Sequence, residues 1–317
     1  MAKAGTAGPV LVKHAPQRRV EFGRYLRRSL PFYLFLLPTF VFLAIFNYYP
    51  IVSAFYYSVF QADFGSIPVF IGLKNFADAV QDPVLLASVP NVLYWIIFQV
   101  TIQLTVPLIT AEIIFHMRRE RVRHFWRVLF VVPLVVPPIV IWLIWQFIYS
   151  DQGVFNNLLT WAGHGELTRG WLNDPQFALP AVFFIGFPFV YPIALLIYYA
   201  GLLNISPDVH EAAQLDGITA ISRFFKIDVP LILGQIRLIA LLVMITVVTQ
   251  GYQTVLVLTG GGPGNVTMMP GLYLYNNAFQ YQKLGYASAI GVLVFVVILG
   301  LTVLITRLLR SSVEYQP

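Results

Sequence analysis

The 317-residue sequence has no cysteine, and only 11% of it is charged. The first absence excludes disulfides, thiol nucleophiles and cysteine-ligated metals. The second weighs more, because a water-soluble domain usually carries about 25% charged residues. There are only five histidines, with no metal-ligand spacing. No G-x-x-x-x-G-K-[ST] phosphate loop is present, so ATP has no P-loop on this chain. A membrane-embedded enzyme would need a carboxylate pair, a metal cluster or an activated nucleophile within its apolar stretches. None is visible, and Glu112 and Asp151 stand at the ends of such stretches.

Apolar surface is abundant instead. The chain is 58% hydrophobic and 15% aromatic, with 26 Phe and 17 Tyr. Water would leave this surface nowhere to go, whereas lipid-facing and headgroup positions suit it. The bilayer is the expected solvent. A net charge of +6 could suit nucleic acid, but the basic residues cluster beside apolar runs and form no aromatic-interleaved patch, so no nucleic-acid partner is expected.

A helix needs roughly 20 apolar residues to cross the hydrocarbon core. Windows of that kind run from Pro31 to Phe60, Pro83 to Ala111, Val128 to Ser150, Pro175 to Pro207, Val229 into the low 250s, and Leu284 to Thr306. The expectation is an all-α, polytopic membrane protein with six transmembrane helices. The first window, at about 1.5 Å per residue, exceeds a core of about 30 Å, and Asn47, Tyr48, Tyr49 and Pro50 mark its expected emergence. It is also too long for a signal-peptide core.

Positive loops tend to stay cytoplasmic. Lys3, Lys13, Arg18, Arg19, Arg24, Arg27 and Arg28 precede the first window, Arg118, Arg119, Arg121, Arg123 and Arg127 follow the second, Arg223 and Lys226 follow the fourth, and Arg307 and Arg310 end the chain. The alternate loops hold only Lys74, Arg169 and Lys283. Both termini are therefore expected in the cytoplasm: a basic tail over 1–29, a membrane domain over 30–309 and a short tail over 310–317. Arg237, inside the fifth window, either snorkels to the interface or serves the pathway.

The loop at 204–230 reads NISPDVHEAAQLDGITAISRFFKIDVP. Ser206 fits an N-cap with Pro207 at the first helical position, and Asp208 and Glu211 complement the positive helix end. Gly217 ends this helix where a left-handed residue is needed. A second apolar turn follows through Ile221, Phe224 and Phe225. A short helix slung between two membrane helices is able to pass force between a soluble partner and the bundle; an ordinary interfacial amphipathic helix has the same shape.

The string Glu211-Ala212-Ala213, then Asp216-Gly217, then Ile227 and Pro230, resembles the EAA signature of permease subunits of binding-protein-dependent ABC importers. His210 departs from it where Tyr is common, Ile218 where Ala usually follows the Gly, and Asp228 and Val229 where apolar residues are favoured. The segments Leu258 to Gly264, with Gly261-Gly262-Pro263, Gly285 to Ala289, and Phe70 to Phe76 are similar to the carbohydrate branch, the maltose and glycerol-phosphate type. That resemblance implies a type I importer permease fold. It implies an ATPase dimer holding ATP and Mg, with no cofactor on this chain, and a second homologous permease, an extracytoplasmic sugar-binding protein and a sugar substrate. It also implies a prokaryotic cytoplasmic membrane. Glu211, Ala212, Ala213, Asp216 and Gly217 would dock on the ATPase.

For the substrate pathway the resemblance points to the fourth and fifth windows, where Gly186 would make room and Phe189 would stack on a sugar's C–H face. The fifth window supplies Thr246, Thr249, Gln250, Tyr252, Gln253 and Thr254. Gln250, Gln253 and Thr254 share a face by spacing, either for sugar hydroxyls or for interhelical hydrogen bonds. The Gly260 to Gly264 turn is expected on the outer face, against a delivering protein or as a plain turn. Glycerol 3-phosphate is the alternative cargo. An ion-coupled secondary transporter is the rival of another class, but its ionisable mid-membrane residues are missing here.

Overall fold

The structure is a computed structural model that describes residues 22–308. The tail expected at 310–317 and the first part of that expected at 1–29 lie outside the described residues. The chain divides into two compact units, 1–53 and 54–317.

The first unit is helical from Phe22 onward, inside the segment read as tail. α1 (Phe22–Leu43) leads through a π-turn, Ala44–Tyr48, into α2 (Tyr49–Tyr57), whose last residues belong to the second unit. The helix continues through Asn47 to Pro50, the residues read as marking its emergence from the membrane. Pro50 lacks an N–H, and the wider π-turn just before it absorbs the missing bond without ending the helix. Residues 30–52 are exposed throughout.

The second unit begins with a small hairpin, β1 (Phe60–Gln61) paired antiparallel with β2 (Val69–Phe70), followed by α3 (Lys74–Ala79) and α4 (Pro83–Phe115). Then come α5 (Glu120–Val131), α6 (Pro138–Ile148), α7 (Val154–Trp161), α8 (Ala178–Phe184), α9 (Pro192–Leu203), α10 (Pro207–Leu215), α11 (Ala220–Arg223), α12 (Val229–Leu231), α13 (Leu233–Leu258), α14 (Pro270–Tyr275) and α15 (Leu284–Leu308). Among the described residues, four helices are long and apolar enough to cross a bilayer unbroken: Ser29–Tyr57, Pro83–Phe115, Leu233–Leu258 and Leu284–Arg307. The third and fourth sequence windows are broken spans. A bend of 93° separates Glu120–Val135 from Pro138–Ile148, where Pro133 and the adjacent Pro137 and Pro138 each lack a helix donor. The fourth window divides into α8 and α9 around Ile185–Tyr191.

α4 is the central post, packed along both α9 and α13, and α13 also meets α6, α14 and α15. Lipid gives apolar side chains no reason to leave it, so close approach of helices rests on small residues and dispersion. Gly251 shows this. It is buried, and a Cβ there would stand 3.1 Å from the Trp95 ring of α4. Ala287 and Ala289 of α15 and Gly201 of α9 are likewise buried.

Asp82 ties three elements at one end of the bundle. Its Oδ1 caps α4, accepting from the N–H groups of Val84 (2.9 Å) and Leu85 (3.1 Å). Its Oδ2 accepts from the hydroxyls of Tyr273 (2.6 Å) and Tyr286 (2.8 Å), on α14 and α15. Burial opposes ionisation, but these hydrogen bonds outweigh it and hold the carboxyl below its ordinary pKa. Asp82→Ala is expected to cost about 2 kcal/mol from the lost cap and the lost charged hydrogen bonds, seen as a lower melting midpoint of the purified protein. Because the folded pKa is depressed, this contribution is present above the ordinary carboxylate pKa and is lost as pH falls through the folded value. The gap between wild type and variant should therefore close in acid.

Candidate functional site

The loop between α9 and α13 forms as its residues dictate. α10 turns 72° off the axis of α9, opening at Ser206, whose Oγ accepts from the Asp208 N–H at 3.3 Å, with Pro207 at the first position. It closes at Gly217, at φ 67°, and the Ile218 N–H returns to the Ala213 carbonyl at 3.1 Å. That conformation suits glycine. Thr219 then caps α11 through the Ser222 N–H, and a π-turn, Phe224–Asp228, feeds α12 and α13.

α10 is two-faced. Val209 and His210 are half-buried and Ala213 is buried, at the helical spacing of three and four that makes one face. Glu211, Ala212, Gln214 and Asp216 are exposed, and Leu215 is 89% exposed. Of the residues read as a docking set, Ala213 therefore points inward and supports the helix, while Glu211, Ala212 and Asp216 present outward.

Behind α10 lies a charged cluster. Arg223 donates through Nε to Asp228 at 3.2 Å and through Nη2 to Glu112 at 3.4 Å. Asp228 is wholly buried. The His116 ring, at the end of α4, packs edge-on to the His210 ring at 6.2 Å, and Phe115 lies 5.7 Å from His210. Burial, with Arg223 and His210 nearby, keeps His116 below the usual histidine pKa. Arg127 of α5 sits over the Tyr199 ring of α9 at 5.2 Å, and Tyr199 packs on Phe115. The two basic segments, 118–127 and 223–226, thus gather at the same end of α4. The cluster was not legible as a unit, since Glu112 and His116 end α4 whereas His210, Arg223 and Asp228 come from the loop after α9, about a hundred residues later; the signal available was the charge of Asp228 where the signature favours an apolar residue.

The pathway residues separate into groups with different neighbours. Gly186, at φ 95°, faces the Tyr191 hydroxyl, 3.2 Å from where a Cβ would stand. Phe189 is buried, at φ 63°, and packs edge-on to Phe98, Phe184 and Phe187 at 5.6–5.8 Å. On α13, Thr246, Thr249, Gln250 and Gln253 form an exposed polar stripe. Thr254 does not join it, being buried in the bundle. Nor does Tyr252, which stacks on Tyr275 at 5.9 Å and presses on Gly271. At 3.6 residues per turn, Gln253 and Thr254 stand about 100° apart, which puts the first on the exposed face and the second inside the bundle. Thr249 returns its hydroxyl to Ile245, which leaves the hydroxyl of Thr246 and the amides of Gln250 and Gln253 as the stripe's outward donors.

A second polar row escaped the sequence reading. Trp95, Gln99 and Gln103 recur every fourth residue on α4, and that periodicity was available. Trp95 stacks on Phe183 at 5.9 Å with its buried Nε1 unpaired, and Gln103 donates to Gln99 at 3.2 Å.

The glycine turn is a clasped loop. Gly260, Gly261, Gly264 and Asn265 all have positive φ, and a Cβ on Gly261 would meet Met268 at 2.6 Å. Thr267 is buried and donates to the Gly262 carbonyl at 2.8 Å, and Asn91 of α4 donates to Val266 and Met268. Pro263 stands half-buried beside this clasp. Thr267 belongs to Asn265-Val266-Thr267, which matches a glycosylation acceptor by chance.

Comparison with known proteins agrees with this layout. Residues 103–315 match the family of binding-protein-dependent transport system inner membrane components. A probable ABC transporter permease, YurN of Bacillus subtilis, is 34% identical over 89% of this chain and 97% of its own. The arabinooligosaccharides transport system permease AraP of the same organism is 26% identical over 98% and 97%. Among solved structures, a chain of the bacterial alginate ABC transporter in complex with alginate pentasaccharide-bound periplasmic protein superposes with a TM-score of 0.80 at 20% identity, covering 90% of this chain and 96% of that one. The bundle around α4, the two-faced α10 and the family match over two thirds of the sequence lead to one conclusion: this chain belongs to the inner membrane components of binding-protein-dependent transport systems, a multi-pass ABC permease subunit of type I fold and not an enzyme.

Proposed function

We propose that the chain is half of the translocation pathway of an ATP-driven importer for a sugar or oligosaccharide, coupled to its ATPase through α10. The observation that carries this reading is the outward face of α10, where Glu211, Ala212 and Leu215 stand exposed on a helix anchored from behind. An ATPase dimer, holding ATP and Mg, grips this face. Its closing and opening tilt α10, and the tilt reaches α9 through the short connection at 204–206 and α13 through α11 and α12. A second permease faces the exposed stripe of α13, and an extracytoplasmic binding protein delivers the cargo from outside a prokaryotic cytoplasmic membrane.

The stripe supports a sugar. Thr246, Thr249, Gln250 and Gln253 are uncharged and offer both donors and acceptors, which suits a rim of hydroxyls. Glycerol 3-phosphate would call for arginine or lysine at the stripe. The relative AraP is named for arabinooligosaccharides and another, 30% identical, for sn-glycerol-3-phosphate, so the choice between the two cargoes rests on the stripe.

The test is uptake into proteoliposomes holding the assembled transporter and internal ATP. Import of a labelled oligosaccharide that survives ionophores, is competed by other oligosaccharides and ignores glycerol 3-phosphate supports the proposal. Collapse of import with the ion gradient would replace it with an ion-coupled mechanism, and competition by glycerol 3-phosphate alone would replace the cargo.

A further inference from the structure

The sequence departs from the permease signature at His210 and at Asp228, and the fold brings these two side chains together. Asp228 sits in the π-turn ahead of α12 with none of its surface exposed. A carboxylate so placed is costly unless it is paired and hydrogen-bonded. Its Oδ2 takes the Arg223 hydrogen bond at 3.2 Å, and its Oδ1 lies 3.8 Å from His210 Nδ1. Arg223 also reaches Glu112 at 3.4 Å, and Glu112 lies 3.2 Å from His116. The charged and titratable groups around Asp228 are thus Arg223 from α11, His210 from α10, and Glu112 and His116 from the end of α4.

The arrangement is underfilled. One guanidinium serves two carboxylates, Glu112 and Asp228 lie within hydrogen-bond reach of each other, and both His210 ring nitrogens are buried without a hydrogen bond. At 3.8 Å, His210 and Asp228 are a small displacement of α10 away from a direct hydrogen bond. The apolar contacts of Val209 and Ala213 allow sliding, whereas a directional contact to a buried charge favours one register.

We infer that Asp228 and His210 are positioning residues that fix the inner face of α10 against the end of α4, so that motion of α10 passes through Arg223 to Glu112 and into the bundle. The inference rests on α10 being the coupling helix. It gives the two signature departures a common purpose: a polar pair replaces the usual aromatic and apolar one.

The test uses the whole transporter in proteoliposomes and reads solute imported per ATP hydrolysed, with melting midpoint and co-purification of the ATPase measured alongside. Asp228→Asn is expected to lower that ratio roughly tenfold while the ATPase stays bound, because the buried network loses one of its charges. The double variant His210→Tyr with Asp228→Val, which restores the signature's residue types, is expected to return to within about twofold of wild type, as coupled neighbours do. Should Asp228→Asn fail to assemble, the double variant decides: a normal ratio supports the inference and a depressed one overturns it. An unchanged ratio in assembled Asp228→Asn overturns it too. Glu211→Lys, run in parallel, separates the levels: uptake lost there but intact in Asp228→Asn removes only the positioning role, whereas uptake intact in Glu211→Lys removes the docking role of α10 itself.

Discussion

Glu211→Lys should reduce transport roughly a hundredfold, the loss typical of a buried interface residue whose charge is reversed. The size follows from where Glu211 stands. It is exposed on α10, on the face opposite Val209, His210 and Ala213, so the substitution removes no packing and should shift stability by less than about 0.5 kcal/mol. The variant is expected to insert and melt like wild type while uptake disappears and ATP hydrolysis no longer responds to cargo. Normal uptake by the variant would show that the outward face of α10 is not a docking surface.

The second large effect belongs to the α13 stripe. Replacing Gln250 and Gln253 together with Leu deletes two amides that face outward from the bundle. If each contributes about 1 kcal/mol of hydrogen bonding to bound sugar, the pair is worth about 2 kcal/mol, or roughly thirtyfold in half-saturation. Leucine is at home in a membrane helix, so the melting midpoint should hold or rise while half-saturation climbs. A fall in stability with unchanged affinity and selectivity would assign both glutamines to packing against the second permease.

Much of the membrane architecture was legible because it follows from one constraint, the length of apolar chain needed to cross lipid. The turns of the α9 to α13 loop were equally legible, since Ser206, Pro207 and Gly217 each meet a local backbone requirement that few residues satisfy. Where the reading failed, the cause was non-local. The π-turn, five residues long, that carries the first helix past Pro50 had no signal in the sequence. Thr254 shared a spacing pattern with Gln250 and Gln253, yet the width of one helical face puts it in the core. Asp228 stands in sequence only as a charge where the signature favours an apolar residue; the approach of Arg223 and His210 is what makes its burial tolerable. The row of Trp95, Gln99 and Gln103 was visible but carried no meaning until Trp95 was seen wedged against Gly251.

The central claim is that this chain moves cargo only when a separate ATPase works α10. The most direct measurement is uptake by proteoliposomes prepared with both permeases, the binding protein and internal ATP, with and without the ATPase subunits. The account predicts import with the ATPase and background leakage without it. Equal import in its absence, driven by the cargo or ion gradient alone, would contradict the account.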